Sequence, residues 1–145
     1  MLGNQYFMAR KYAEAGEILE NVTKNNPRNK PARCKLVICY IQTGNIPKAL
    51  DQFLPLIKED TDLITKMDPV QDDCPCLDLV AELEENVEAN HHSLDFLLTL
   101  GMLSLYCDIE KSIKYFSLAQ KLDENNFIIR DILSHLYIYL KRTNR

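Results

Sequence analysis

An all-α chain of antiparallel helix pairs is what this sequence predicts, and three observations predict it. Residues 30–60 read as one helix–turn–helix unit, with Leu36, Val37 and Tyr40 on one helical face and Ala49, Phe53 and Leu56 on another. The same pattern recurs one period earlier, where Ala49 maps to Ala15, Phe53 to Leu19, Leu56 to Val22 and Tyr40 to Tyr6. Of 145 residues, 46% are hydrophobic while only four are glycine and six proline, enough for a buried core and too few turns for a loop-rich β protein.

Each element follows in order. Leu2-Gly3-Asn4-Gln5-Tyr6 begins a helix in which Gly3, together with Ala15 on the next, allows close backbone approach. Met1 falls partway along that helix, so the first repeat (about residues 1–29) is expected to be truncated. Repeat two spans 30–63. Gly44-Asn45 ends its first helix, because either residue accepts the left-handed conformation of a helix C-terminus. Pro47 sits early in its second helix, where a missing N–H costs little.

After Asp60 the register is lost. Residues 64–92 form an irregular or inserted unit, with Pro69 and the acids Asp68, Asp72 and Asp73. A short helical turn is expected at 62–67, and a continuous helix at 75–89 that uses Cys76, Val80, Leu83 and Val87. Repeat three, 93–126, begins just short of two full periods after Lys30. It places Phe96, Leu100 and Leu103 in one helix and Ser112, Phe116 and Ala119 in the next, with Asp108 as N-cap between them. Residues 127–141 read as an unpaired last helix. Its Ile129, Leu133, Leu136, Tyr137 and Leu140 lack a second helix to cover them all, so contacts with another copy or with further chain are expected there.

These residues carry a resemblance. Leu2-Gly3-x-x-Tyr6, then Ala15-x-x-x-Leu19 and Pro27, is similar to the signature of the tetratricopeptide repeat (TPR). The second unit fills the same positions with Leu36, Val37, Tyr40, Ala49 and Phe53, having valine for glycine and Thr61 for the terminal proline. The resemblance covers about four fifths of the chain and implies a single domain, a right-handed superhelix of helix pairs. It further implies a concave groove lined by the first helix of each pair, where the family binds peptides or partner helices. The implied groove residues are Asn4, Phe7 and Met8, then Cys34, Ile38, Ile41 and Gln42. Leu97, Gly101, Ser104 and Leu105 follow, then Asp131, His135, Ile138 and Tyr139. One subclass clamps C-terminal carboxylates with lysine, asparagine and arginine. Here only Asn4 fits, because Cys34, Ile38, Leu94 and Leu98 occupy the other places.

The expected ligand is therefore a peptide or amphipathic helix on an apolar strip of Phe7, Ile38, Ile41, Leu105 and Ile138. The rival expectation is self-association through the terminal helices. A formal charge of −4 argues against a basic face for nucleic acid, and charges interrupt every apolar run before it reaches membrane-spanning length. The first residues lack the basic and apolar regions of a secretory signal. Five cysteines without regular spacing point to reduced thiols and a cytoplasmic setting. Cys74-Pro75-Cys76 and His91-His92 do not have zinc-ligand spacing. No histidine lies near Cys34 or Cys39 to activate a thiol, and no phosphate loop or hydrolase motif appears. Neither cofactor nor catalysis is expected. The acidic run Glu82–Glu88 reads as the solvated face of a helix.

Overall fold

The computed structural model describes residues 2–68, 72 and 74–144; Met1, Pro69 and Asp73 lie outside the described residues. Among the described residues there are ten helices and no strand. They pack as two compact units, residues 1–56 and 57–145.

The first unit contains α1 (Leu2–Met8), α2 (Tyr12–Asn25), α3 (Lys30–Gln42) and most of α4 (Ile46–Asp60). Helix α1 packs on α2, and α2 on α3. Small residues sit where helices approach closely. A β-carbon on Gly3 would lie 3.2 Å from Ile18 and 3.3 Å from Leu19, while Ala15 and Ala49 are fully buried. Asn29 caps α3 by accepting from Ala32 N–H at 3.2 Å. Helix α4 buries Ile46, Ala49, Phe53 and Leu56 in one stripe. Pro55 stands inside that helix, where the ladder loses a donor. The unit boundary follows directly.

The repeat is visible in the backbone itself. After α3, Asn45 N–H donates to Tyr40 O at 2.8 Å and Gly44 N–H to Ile41 O at 3.1 Å. After α1, Lys11 N–H donates to Tyr6 O at 2.9 Å and Arg10 N–H to Phe7 O at 3.0 Å. Both are Schellman closures, which need a left-handed residue. Gly44 supplies it at φ 78°, and Arg10, its counterpart one period earlier, adopts φ 61°. Glycine takes this conformation freely, whereas a residue with a β-carbon is strained by about 1 kcal/mol. Arg10→Gly is therefore expected to stabilise the chain by about 0.5–1 kcal/mol, and Gly44→Ala to destabilise it by a similar amount. Urea midpoints of the two variants should move in opposite directions.

The second unit contains the end of α4, α5 (Asp62–Thr65), α6 (Cys76–Glu84), α7 (Val87–Asn90), α8 (Leu94–Leu105), α9 (Ile109–Leu122) and α10 (Phe127–Thr143). Helix α6 packs on α8, α8 on α9, and α9 on α10. The α8–α9 crossing is the tightest described. A β-carbon on Gly101 would lie 2.9 Å from the Phe116 ring, and buried Ser112 donates to Gly101 O at 2.6 Å. Asp108 caps α9 as expected, accepting from Glu110 N–H at 3.0 Å and Lys111 N–H at 3.3 Å.

Three expectations are corrected in this unit. The continuous helix over 75–89 is two helices, because α6 ends at Glu84. Asn86 donates from its backbone to Leu83 O at 3.0 Å and from its side chain to Glu82 O at 3.4 Å. An asparagine that satisfies terminal carbonyls in this way favours a cap over helix interior. Next, Cys74 and Cys76 form a disulfide, with Cα atoms 5.4 Å apart. That pair no longer supports a reducing compartment; Cys34, Cys39 and Cys107 form no disulfide. Finally, Ile129, Leu133 and Leu136 of α10 are buried rather than uncovered. The exposed apolar residues of α10 are Phe127, Ile128, Tyr137 and Ile138.

Candidate functional site along α10

The implied groove residues separate into two classes once their surroundings are seen. Four members of the expected apolar strip are core: Phe7 and Ile38 are 0% exposed, Leu105 1% and Ile41 6%. Only Ile138, at 55%, presents itself to solvent. Cys34, Leu97, Gly101 and Ser104 are buried as well, Gly101 beneath the Phe116 ring. The exposed apolar strip is thus corrected, and the reason is physical. Burying such side chains stabilises by about 25 cal/mol per Å², and sequence spacing does not distinguish a helix face left open from one that is covered. In the first unit, Met8 and Gln42 are exposed. Asn4 is half-buried and accepts from Lys35 Nζ at 3.2 Å. The same lysine stands 5.6 Å from the centre of the Phe7 ring.

The second unit brings the last group of residues together. Successive turns of α10 carry Asp131, His135, Ile138 and Tyr139 along one side. His135, Ile138 and Tyr139 line a cleft of about 180 Å³ whose other wall is the C-terminal end of α4 and Asp62. Tyr139 also lines a second cleft of about 520 Å³, together with Thr65, Leu105, Ile109 and Thr143. Tyr139 therefore stands between two concavities.

Its position is fixed by hydrogen bonds. The phenol donates to Asp62 Oδ1 at 2.5 Å and meets Thr65 Oγ1 at 2.8 Å. Asp62 also pairs with Lys66 at 3.5 Å. The phenol holds the Asp62 carboxyl below its ordinary value, and burial pushes Tyr139 upward. One turn away, Lys58 Nζ lies 2.8 Å from Asp131 Oδ2 and holds that carboxyl low. His135 Nδ1 lies 3.2 Å from Asp131 Oδ1 and 2.8 Å from Asp131 O. These contacts hold the groups along this side of α10 in place by one another.

Lys58, Asp62, Thr65 and Arg142 belong to this surface, and no sequence signal points to them. Lys58 and Asp62 fall in the second repeat but at none of its signature positions, and Thr65 lies beyond the point where the register ends. A basic residue in the last turn of a helix, as Arg142 is, is commonplace. His91 and His92 lie elsewhere against one another, with ring centres 3.8 Å apart and planes tilted by 46°. Among the described residues no group of three or more histidines, cysteines or acids is arranged to hold a metal. No described helix is long and apolar enough to cross a membrane.

The carboxylates also set an acid dependence. Glu84 accepts from Lys111 Nζ at 2.8 Å and from the Tyr115 phenol at 2.5 Å. The Lys111 bond, followed by that of Tyr115, holds Glu84 below its ordinary value of 4.5. A depressed folded-state value contributes stability that is full above the unfolded value and is lost as pH falls through the folded one. Glu84, Asp62 and Asp131 all share this sign. Urea midpoints are expected to hold constant near neutrality and to fall as pH drops below about 4.5. Glu84→Gln should flatten part of that acid limb. An unchanged limb in that variant would mean that the Lys111–Glu84–Tyr115 contacts carry no linkage.

Comparison with known proteins agrees with the repeat geometry. The tetratricopeptide repeat family model matches residues 6–64, the stretch that holds the two Schellman turns, α2, α3 and α4. No curated protein matches the chain. In both the recurring backbone turn and this family match, residues 6–64 are similar to a tetratricopeptide repeat.

Proposed function

We propose that this chain is a non-catalytic interaction module that docks a partner segment along α10 of its second unit. Tetratricopeptide repeats in general mediate protein–protein interactions, and the family is typically a non-catalytic scaffold. The observation that carries the reading is the pair of clefts, about 180 and 520 Å³, that share Tyr139. Ile138 stands exposed at the rim of the smaller cleft. An extended segment laid along α10 would place successive side chains on either side of Tyr139, since alternate residues of an extended chain share one face.

The test is a selection of peptides from a random displayed library on the full chain, followed by titration against variants. Ile138→Glu, at an exposed position, should weaken the selected peptides at least tenfold while leaving the circular dichroism melt unchanged. Binding that survives this substitution would overturn docking along α10. It would move attention to the acidic residues Glu82, Glu85 and Glu88. A second reading, self-association, draws on the exposed Phe127, Ile128 and Tyr137. Light scattering over a concentration series separates it, because docking of a foreign segment requires no change in mass of the chain alone.

A further inference from the structure

The Cys74–Cys76 disulfide spans a single intervening residue, Pro75, at the start of α6. A disulfide stabilises mainly by restricting the unfolded chain, and that effect grows with the length of the closed loop. So short a loop adds little. Helix α6 is also secured without the bond. It packs on α8 with Val80 only 2% exposed. At its other end Glu84 accepts from Lys111 and Tyr115 of α9.

The placement of the bond suits exchange instead. Cys76 is the first residue of α6, a helix of nine residues, and Pro75 at the N-cap supplies no side-chain acceptor. Leu79 N–H bonds back to Pro75 O at 3.0 Å, which leaves the N–H groups of Cys76, Leu77 and Asp78 without helical acceptors. These groups and the helix dipole favour a negative charge on the Cys76 sulfur. Asp78 in the same turn is exposed, where water and salt screen its charge. Access differs as well: Cys74 is 8% exposed and Cys76 only 1%. An incoming thiol therefore meets Cys74, and the sulfur it displaces is the better leaving group.

We propose that Cys74 and Cys76 form a reversible dithiol–disulfide site that exchanges with a small thiol of the glutathione class. The narrow opening at Cys74 favours a thiol of that size over one carried on a folded protein. In the first step the small thiolate attacks Cys74 Sγ. The S–S bond breaks, and its electron pair leaves on Cys76 Sγ. A mixed disulfide remains on Cys74. A second small thiolate attacks the glutathione sulfur of that mixed disulfide, forming oxidised glutathione and releasing Cys74 Sγ. Two small thiols are thus oxidised, the protein disulfide gains two electrons, and the two protons pass to the cysteine sulfurs or to solvent.

The full chain is incubated with millimolar reduced glutathione and quenched with acid, and the state of each cysteine is located by tandem mass spectrometry. The expected result is loss of the Cys74–Cys76 bond with an unchanged circular dichroism spectrum, and return of the bond on adding oxidised glutathione. Mixed disulfide caught early should lie on Cys74 at least tenfold more often than on Cys76. A bond that persists in reduced glutathione, or that does not re-form, would overturn the proposal. Reduction accompanied by loss of helix would overturn it too, because the bond would then be a structural tie. Glutathione found mainly on Cys76 would contradict the roles of the two sulfurs and the proposal with them.

Discussion

Phe116→Ala is expected to cost about 3–5 kcal/mol of unfolding free energy, the range for removing a fully buried aromatic side chain. Phe116 has no exposed surface, and its ring lies directly over Gly101. The same geometry predicts the reciprocal change. Gly101→Ala would push a β-carbon to 2.9 Å from two ring atoms. Because the ring is enclosed, its displacement should cost about 1–3 kcal/mol. The two substitutions cannot be independent. Once Phe116 is alanine, the clash at Gly101 disappears, so the double variant should be more stable than the sum of the single effects implies. Denaturant unfolding of the parent, both single variants and the double variant measures this coupling. Strict additivity would mean that α8 and α9 do not meet through this pair.

Ala49→Leu and Ala15→Leu are the second large expectation, each about 1–3 kcal/mol destabilising. Both alanines are fully buried, and they occupy equivalent repeat positions on α4 and α2. The extra carbons at either site must displace neighbours in a close-packed interior. Similar losses at both positions would mark them as equivalent points of one repeat. A thermal midpoint unchanged by either substitution would show that the repeat register does not describe the packing.

The parts of the fold legible in the sequence are those fixed by local chemistry. Gly44 announces a left-handed turn, and Asp108 announces a cap, because backbone conformation and hydrogen bonding at those points depend on the residue itself. Arg10 gives no such signal. Its turn is found only by stepping back one full period from Gly44, so the repeat carries information that the residue does not. The break between α6 and α7 is hidden for the opposite reason. Cys76, Val80, Leu83 and Val87 keep helical spacing straight through a point where Asn86 takes the terminal carbonyls.

The candidate site is legible only at its last helix. His135, Ile138 and Tyr139 do converge on one cleft, but Phe7, Ile38, Ile41 and Leu105 belong to the core. Periodicity identifies which residues share a helix face. It does not report how many neighbours that face has, and a face covered on all sides reads in sequence like one left open. Residues at 58–66 join the site through the last turn of α4 and the tertiary placement of α5, a helix of four residues that carries no signature position of the repeat.

Docking along α10 is the central claim, and hydrogen–deuterium exchange on the full chain tests it most directly. Exchange is followed residue by residue with and without a saturating selected peptide. The account predicts added protection at 58–66 and 135–143, where the two clefts meet at Tyr139, with little change over 76–90. Protection confined to 76–90 or to residues 1–45, with α10 unchanged, would contradict it.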